Sequence, residues 1–402
     1  MNQPINKSEE FVYQVCHRSF MSLWSYANPM GKGKSKELCD ILVVCDPDII
    51  IFSVKEIGIS DSGDIATDWE RWRRRAIEGS VKQIYGAERW IENANHVIRS
   101  DGSDGLPFPN CSNRRIHRVA VALGSQGKVP LQFGDFGKGF VHVFDEISFQ
   151  TILSELDTIT DFISYMIAKE ELYKSGKEAV LHGGEEDMLA LYLHHGRKFP
   201  GEFDQYVIDD NLWSGFVNKP EYKAKTDADA DSYIWDRIVS ILSDDILRGH
   251  VEFGPNLSES EIALRVMARE DRFNRRMLGK AFDEFYGLAR QKKVRSRMVL
   301  GRSDVTYIFL VMPHGEERKY RVAELGGRCF VARGIHQDRH TVIGLATERY
   351  ETGKGFSFDI MYQYKPVWTK EDQRQMEFAQ KEFGYFVTPQ LKSVHEDEFP
   401  AC

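Results

Sequence analysis

The sequence lacks the features that mark membrane, secreted or disulfide-rich proteins. No apolar run in its 402 residues approaches the roughly 20 residues that a membrane-spanning helix needs. The first residues do not contain the apolar core of a secretory signal. The six cysteines include no C-x-x-C pair and no spacing typical of a disulfide framework. We therefore expect a cytoplasmic protein whose cysteines are reduced thiols.

An overall excess of positive charge is also missing. The formal net charge of -8 excludes a protein that is basic over its whole surface, as many nucleic-acid-coating proteins are. Basic residues nevertheless cluster at Arg71, Arg74 and Arg75, beside Trp69 and Trp72. At about 100° per residue the three arginines share an arc of a helix, and Trp72 is left to pack inward. This arc is a candidate contact for nucleic-acid phosphates.

The most informative segment that is present is ELCDILVVCDPDIIIFSVKE, residues 37–56. Two apolar runs flank residues 46–48, Asp-Pro-Asp, which favour a tight turn, and so predict a buried hairpin. Asp40 begins the first arm, and Lys55 lies in the second. Because an isolated buried charge is very costly, these two side chains need each other or a cation.

Asp40, twelve intervening residues and Ser53-Val54-Lys55 resemble the D-x(n)-(D/E)-x-K signature of the PD-(D/E)XK, or restriction-endonuclease-like, nucleases. The resemblance implies that Asp40 binds Mg²⁺ or Mn²⁺ and that the Val54 carbonyl is a further ligand. It also implies that Lys55 supports the attack of hydroxide on a phosphodiester. Ser53 stands where the family usually has an acid. A serine hydroxyl is a weaker, neutral ligand, so the resemblance requires another carboxylate.

Three glutamates are candidates for this missing metal ligand. Glu9 and Glu10 lie in the first turn of a predicted helix, where the family often has a metal-binding glutamate, although acids there also favour the helix dipole. Glu37 lies three residues before Asp40, an odd separation that places both on one side only if the strand starts irregularly. Gln83 occupies the region of the following helix where many family members carry a supporting glutamine.

The patterns predict a mixed α/β fold in three parts. Helices over residues 7–26 and 67–96, the hairpin, and a strand at 115–123 make up most of the αβββαβ core that the resemblance implies, without a clear first strand. A strand at 140–146 and a helix at 148–172 complete a restriction-endonuclease-like domain, residues 1–172. Residues 173–297 are predicted to be mostly helical, and 298–402 to form a small α/β module with a frayed end.

The expected function is that of a Mg²⁺-dependent nuclease, acting on DNA rather than RNA, with a bacterial or phage-defence role as an analogy. One alternative is a catalytically degenerate nuclease fold that binds nucleic acid or protein. Another is a regulatory or assembly module whose basic helix binds another protein. Residues 173–402 are the expected contact region for a homo-oligomer or a protein partner. In a binding-only protein Asp40 and Lys55 pair with each other, whereas a catalytic protein gathers Asp40, a second carboxylate and Lys55 around one site.

Overall fold

A computed structural model describes residues 6–31, 36–125, 127, 131–176, 178–202, 204–250 and 257–400. The fold is mixed α/β, as predicted, with 46% helix and 20% strand. The chain forms two compact units, Met1–Tyr222 and Lys223–Cys402. None of the described helices is both long enough and apolar enough to cross a membrane.

The elements are numbered in chain order. The helices are α1 (Lys7–Phe20), α2 (Ile65–Ile91), α3 (Glu146–Glu155), α4 (Ile159–Lys174), α5 (Glu185–His194), α6 (Leu212–Val217), α7 (Pro220–Asp229), α8 (Tyr233–Leu247), α9 (Leu257–Ala268), α10 (Arg272–Arg290), α11 (Arg318–Ile335) and α12 (Lys370–Phe383). The strands are β1 (Ser25–Ala27), β2 (Ile41–Cys45), β3 (Asp48–Glu56), β4 (His96–Ile98), β5 (Asp104–Pro107), β6 (Arg115–Leu123), β7 (Gly134–Asp135), β8 (Phe140–Phe144), β9 (Glu178–Leu181), β10 (Gln205–Ile208), β11 (Ser296–Leu300), β12 (Val305–Met312), β13 (Thr341–Glu348) and β14 (Phe358–Tyr364).

The first unit is built on a six-stranded sheet in the order β1-β2-β3-β6-β8-β7. Strand β2 runs antiparallel to both of its neighbours, β1 and β3. Strands β3, β6 and β8 are parallel. The three-residue strand β1 supplies the first strand that the sequence did not predict. Its three residues are buried and pair with β2. A strand this short has no long apolar run by which the sequence could reveal it.

The predicted hairpin is present, with Cys45 opposite Asp48 across the turn. Every residue of β2 is buried, as expected for a strand covered on both faces. Helix α2 covers one face of the sheet, packing on β3 and β6. Its N-terminus is capped by Asp64, and Trp72 packs inward as predicted, donating a hydrogen bond from Nε1 to the Ile57 carbonyl at 2.7 Å.

The opposite face of the sheet packs against α1, α3 and α4 through a cluster of phenylalanine rings. Phe52 of β3 stacks on Phe162 of α4 with ring centroids 6.4 Å apart, and meets Phe149 of α3 edge-on. The helix predicted over 148–172 is therefore two helices. Helix α3 ends at Glu155, and α4 begins after Thr158. The Thr158 side chain accepts a hydrogen bond from the Asp161 N–H and caps α4.

The predicted boundary at residue 172 does not coincide with the division between the units. A buried ion pair joins α4 to α5, with Lys169 Nζ 2.5 Å from Glu185 Oε2. Tyr165 also donates a hydrogen bond to Glu185 at 2.6 Å. These contacts attach the segment after residue 172, including the parallel pair β9 and β10, to the first unit.

The second unit contains a four-stranded sheet in the order β11-β12-β13-β14, in which the central pair is parallel. Helix α10, predicted as part of a separate helical domain, packs Phe282 against Phe309 of β12 with ring centroids 5.2 Å apart. The predicted boundary at residue 297 therefore falls inside this unit. The segment before residue 400 was predicted to be frayed, but Arg276 of α10 donates to the Asp397 carbonyl at 2.7 Å.

Candidate active site

Asp40 is held in one orientation by two different elements. It directly precedes β2 and is only 4% exposed. Its Oδ2 accepts a hydrogen bond from the Val54 N–H of β3 at 2.5 Å, and its Oδ1 accepts one from Gln83 Nε2 of α2 at 3.3 Å. Both oxygens are thus positioned before any ligand is present.

Ser53 acts on Asp40 through Gln83. Strand alternation turns Ser53 toward α2, where its fully buried hydroxyl donates to Gln83 Oε1 at 2.8 Å. The same Gln83 side chain then donates to Asp40. The structure brings these three predicted site residues together, with Ser53 and Gln83 as positioning groups around the carboxylate.

Glu37 is the second carboxyl group at this site. Burial, a hydrogen bond to the Asp40 side chain, and the negative charges of Asp40 and Glu9 raise the Glu37 pKa to about 7, while Lys55 opposes the rise. Glu37 forms an isolated bridge with Met30, and regular pairing resumes only at β2. This irregular backbone lets residues 37 and 40 meet despite their odd spacing.

The two glutamates of the first helical turn lie in different places. Glu9 is buried and its charge acts on Glu37, whereas Glu10 is exposed and accepts a hydrogen bond from Gln14 on the outside of α1. The structure therefore does not bring Glu10, a predicted metal ligand, to the site. The cause is the turn of about 100° between consecutive helical residues.

Asn6 is a site-supporting residue that the sequence analysis missed. It is the N-cap of α1, and its side chain accepts a hydrogen bond from the Glu9 N–H at 2.9 Å. Its amide also donates to Glu9 Oε1 at 2.5 Å, which fixes the carboxylate. The signal was available, since Asn followed three residues later by Glu is a capping pattern.

Lys55 completes the group from the exposed end of β3. It is partly buried and close enough to Glu37 to act on its pKa. Within the described residues, no ion pair joins Lys55 to Asp40. Val54 contributes its N–H to Asp40, and its carbonyl remains a predicted ligand.

The candidate metal-binding groups at this site are carboxyl groups. In the part of the chain that the structure describes, no group of three or more His, Cys, Asp or Glu side chains is arranged to hold a metal ion. What the site offers is the hydrogen-bonded Glu37 and Asp40 pair, with the Glu9 charge nearby. The described cysteines are free thiols, as expected.

The predicted phosphate-contacting arginines lie on α2. Arg71, Arg74 and Arg75 are all exposed. Arg71 Nη1 lies 4.0 Å from Asp68 Oδ1, so this ion pair is a long one. Arg74 is near Glu70, whose pKa is lowered first by the hydrogen bond from Arg73 and also by the Arg74 charge.

No protein-family model matches the chain, and no curated protein or solved structure matches it significantly.

Proposed function

We propose that the protein is a metal-dependent nuclease that hydrolyses phosphodiester bonds, with DNA rather than RNA as its substrate. The observation that carries the proposal is the hydrogen-bonded Glu37 and Asp40 carboxyl pair beside Lys55, in which burial and the neighbouring Asp40 raise the pKa of Glu37 to about 7. Two carboxyl groups kept this close by the fold need a proton or a cation between them. A divalent cation would take the place of that proton.

The order of elements supports this proposal. Helix α1, the antiparallel strands β1, β2 and β3, helix α2 and, after the separate pair β4 and β5, strand β6 parallel to β3 occur in the order of an αβββαβ core. Asp40, Ser53 and Lys55 lie at one end of the β2 and β3 hairpin, where the PD-(D/E)XK resemblance requires its signature. The likeness is one of topology and motif position.

The donor set fits a hard cation in charge and atom type. Mg²⁺ and Mn²⁺ prefer oxygen ligands, which Asp40 and Glu37 would supply, with Glu9 adding negative charge. Such an ion polarises a phosphoryl oxygen and makes water a stronger nucleophile. The protein's own contribution is to orient Asp40 through Val54 and Gln83, and to place the Lys55 ammonium beside the developing negative charge.

The second candidate function is a degenerate nuclease fold that only binds nucleic acid or a protein. Ser53 in place of an acid favours it, because the serine hydroxyl is committed to Gln83. The absence of an ion pair between Asp40 and Lys55 in the described chain weighs against it. We therefore retain catalysis as the primary proposal.

Cleavage of plasmid and linear DNA in Mg²⁺ or Mn²⁺ tests the proposal. Asp40→Asn, Glu37→Gln and Lys55→Ala should each reduce cleavage to the level seen in excess EDTA, because each removes a charged group from the site. Gln83→Ala should cost about 10- to 100-fold, as expected for a residue that orients a ligand. Calorimetric titration with Mn²⁺ provides a readout that does not depend on activity.

Glu10→Gln is the matched control, because Glu10 lies in the same helical turn as Glu9 but faces away from the site. It should leave cleavage and Mn²⁺ binding unchanged. Circular dichroism checks that every variant stays folded. EDTA-resistant cleavage by the wild type, or full activity in Asp40→Asn, would contradict the proposal. A wild type that neither binds Mn²⁺ nor cleaves DNA would contradict the proposal and favour the binding-only function.

A further inference from the structure

A row of basic side chains runs almost the whole length of α2. At about 100° per residue, Arg71, Arg75, Lys82 and Arg89 lie within about 40° of one another around the helix axis. All four are exposed. We call this row the basic stripe. Its ends are 18 residues apart in sequence, so at 1.5 Å per residue it is about 27 Å long.

One flank of the basic stripe carries two glycines and no exposed acid. Gly79 and Gly86 lie between the stripe and Gln83, and a Cβ atom at either glycine would meet nothing within 4 Å. They are four residues before and three after Gln83, so they are its nearest neighbours on the helix surface. The acid on this flank, Asp68, is 4% exposed and accepts a hydrogen bond from the Ser62 N–H. A bare strip of helix backbone therefore leads from the stripe to Gln83.

The opposite flank of α2 is acidic but largely neutralised by ion pairs. Glu70 and Glu78 pair with Arg73 at 2.8 and 2.9 Å. Glu88 accepts a hydrogen bond from Arg118 of β6 at 2.7 Å. Positive charge on the stripe is therefore not matched by exposed acids on the side that leads to the candidate active site.

No aromatic side chain of α2 is more than partly exposed, so the helix presents no open ring on which unpaired bases could stack. Trp72 and Tyr85 are buried, and Trp69 and Trp90 are partly buried, Trp90 against Phe108 with ring centroids 6.2 Å apart. Sites for single strands usually combine basic residues with exposed aromatic rings. A straight row of cations without such rings is suited to a phosphate backbone whose bases are already paired.

We infer that the basic stripe binds the phosphate backbone of a DNA duplex, which lies against the bare Gly79 and Gly86 strip and so reaches Gln83 and Asp40. A length of about 27 Å corresponds to about eight base pairs at 3.4 Å per step. The inference assigns Lys82 and Arg89 to the contact and removes Arg74 from it. Arg74 lies about 60° from Arg71 around the axis, on the acidic flank near Glu70. The inference rests on the proposed function for the chemistry that follows binding.

The test is fluorescence anisotropy of the full-length protein in EDTA, with a labelled DNA duplex at least twice that length and the corresponding single strand. Wild type should bind the duplex more tightly, without sequence preference. Replacing all four stripe residues by Gln should flatten the slope of log K against log salt by up to about 3.6 units, at about 0.9 per phosphate contact. Two double variants divide the stripe: one combines Arg71→Gln with Arg75→Gln, and the other combines Lys82→Gln with Arg89→Gln. Each double variant should give about half of the change in slope that the fourfold variant gives.

Arg74→Gln is the matched charge control and should leave the slope unchanged. Gly79→Gln with Gly86→Gln tests the bare strip, because these changes put side chains into open space without altering charge. This pair should raise the melting temperature, since glycine is a poor helix former, and yet weaken duplex binding. The smaller Gly79→Ala with Gly86→Ala pair should raise the melting temperature and bind nearly as the wild type does.

Tighter binding to the single strand, an unchanged salt slope in the fourfold variant, or wild-type affinity in the Gln pair would overturn the inference. Cleavage in Mg²⁺ is measured separately on the same proteins. Duplex binding through the stripe without cleavage would refute the proposed function and leave the inference standing. If the wild type cleaves DNA but the fourfold variant has the same salt slope as the wild type, only the inference is refuted.

Discussion

Glu37 ties the stability of the protein to pH in the absence of metal. Its pKa in the folded protein is raised to about 7 by burial, by the hydrogen bond to Asp40, and by the charges of Asp40 and Glu9, against the opposing Lys55 charge. The folded state therefore binds a proton more tightly than the unfolded state, whose glutamate keeps an ordinary pKa. The stabilisation from this proton is fully present below a pH of about 4.5 and is lost as pH rises through about 7.

Urea unfolding in EDTA should show this loss between pH 5 and 8, and Glu37→Gln should reduce it. In the same pH window Mn²⁺ affinity should increase, because the ion must displace the shared proton. Glu10→Gln, on the outer side of α1, should leave both pH dependences as in the wild type. Identical pH profiles for wild type and Glu37→Gln would show that the carboxyl pair does not share a proton.

The positions of individual side chains were predictable where a regular backbone determines the direction in which they point. Period-two alternation placed Ser53 and Lys55 on one side of β3, and helical spacing placed Gln83 toward the same site. Glu37 was only one of several possible acids, because its position depends on the irregular backbone before β2. Nothing in the local spacing alone distinguishes such a start from a regular strand.

At the level of elements, long periodic segments were predicted well and short ones were not. Strand β6 was predicted with its observed ends, whereas α2 begins two residues and ends five residues before its predicted bounds. The three-residue strand β1 and the short pair β4 and β5 were missed, because strands of three or four residues are too short to show an alternating pattern. The break between α3 and α4 was missed although Thr158 and Asp161 have the spacing of a cap.

Removing one partner of the ion pair between α4 and α5 should strongly destabilise the first unit. Lys169 is fully buried, and burial lowers its pKa while Glu185 opposes that change. Lys169→Met would leave the Glu185 charge buried without its partner, at a cost of about 3–5 kcal/mol in the free energy of unfolding. Adding Glu185→Gln removes that charge and keeps an acceptor for Tyr165, so the double variant should recover part of the loss. Equal stabilities of wild type and Lys169→Met, by chemical denaturation, would contradict this interpretation.

At the level of the whole molecule, the residue patterns correctly predicted the α/β class, and the expected division into three parts differs from the two compact units of the structure. The sequence places a helical domain between two α/β domains, since residues 173–297 contain mostly helical patterns. The structure distributes those helices between two units according to the buried surfaces they cover. Packing partners such as Phe282 with Phe309 are separated by too many residues for a local pattern to reveal.

This division leads to a prediction about fragments. A fragment of residues 1–222 contains the six-stranded sheet, the candidate active site and the complete Lys169 and Glu185 pair. It should fold cooperatively, bind Mn²⁺ and retain metal-dependent cleavage.

A fragment of residues 1–172, the domain expected from the sequence, ends inside α4 and leaves Lys169 buried without Glu185. That loss, together with the missing packing of α5 on α3, should make the shorter fragment unstable or insoluble. Circular dichroism, thermal melts and cleavage assays of both fragments provide the comparison. A stable, active 1–172 fragment would show that α5 and the contacts it brings are dispensable for the fold around the site.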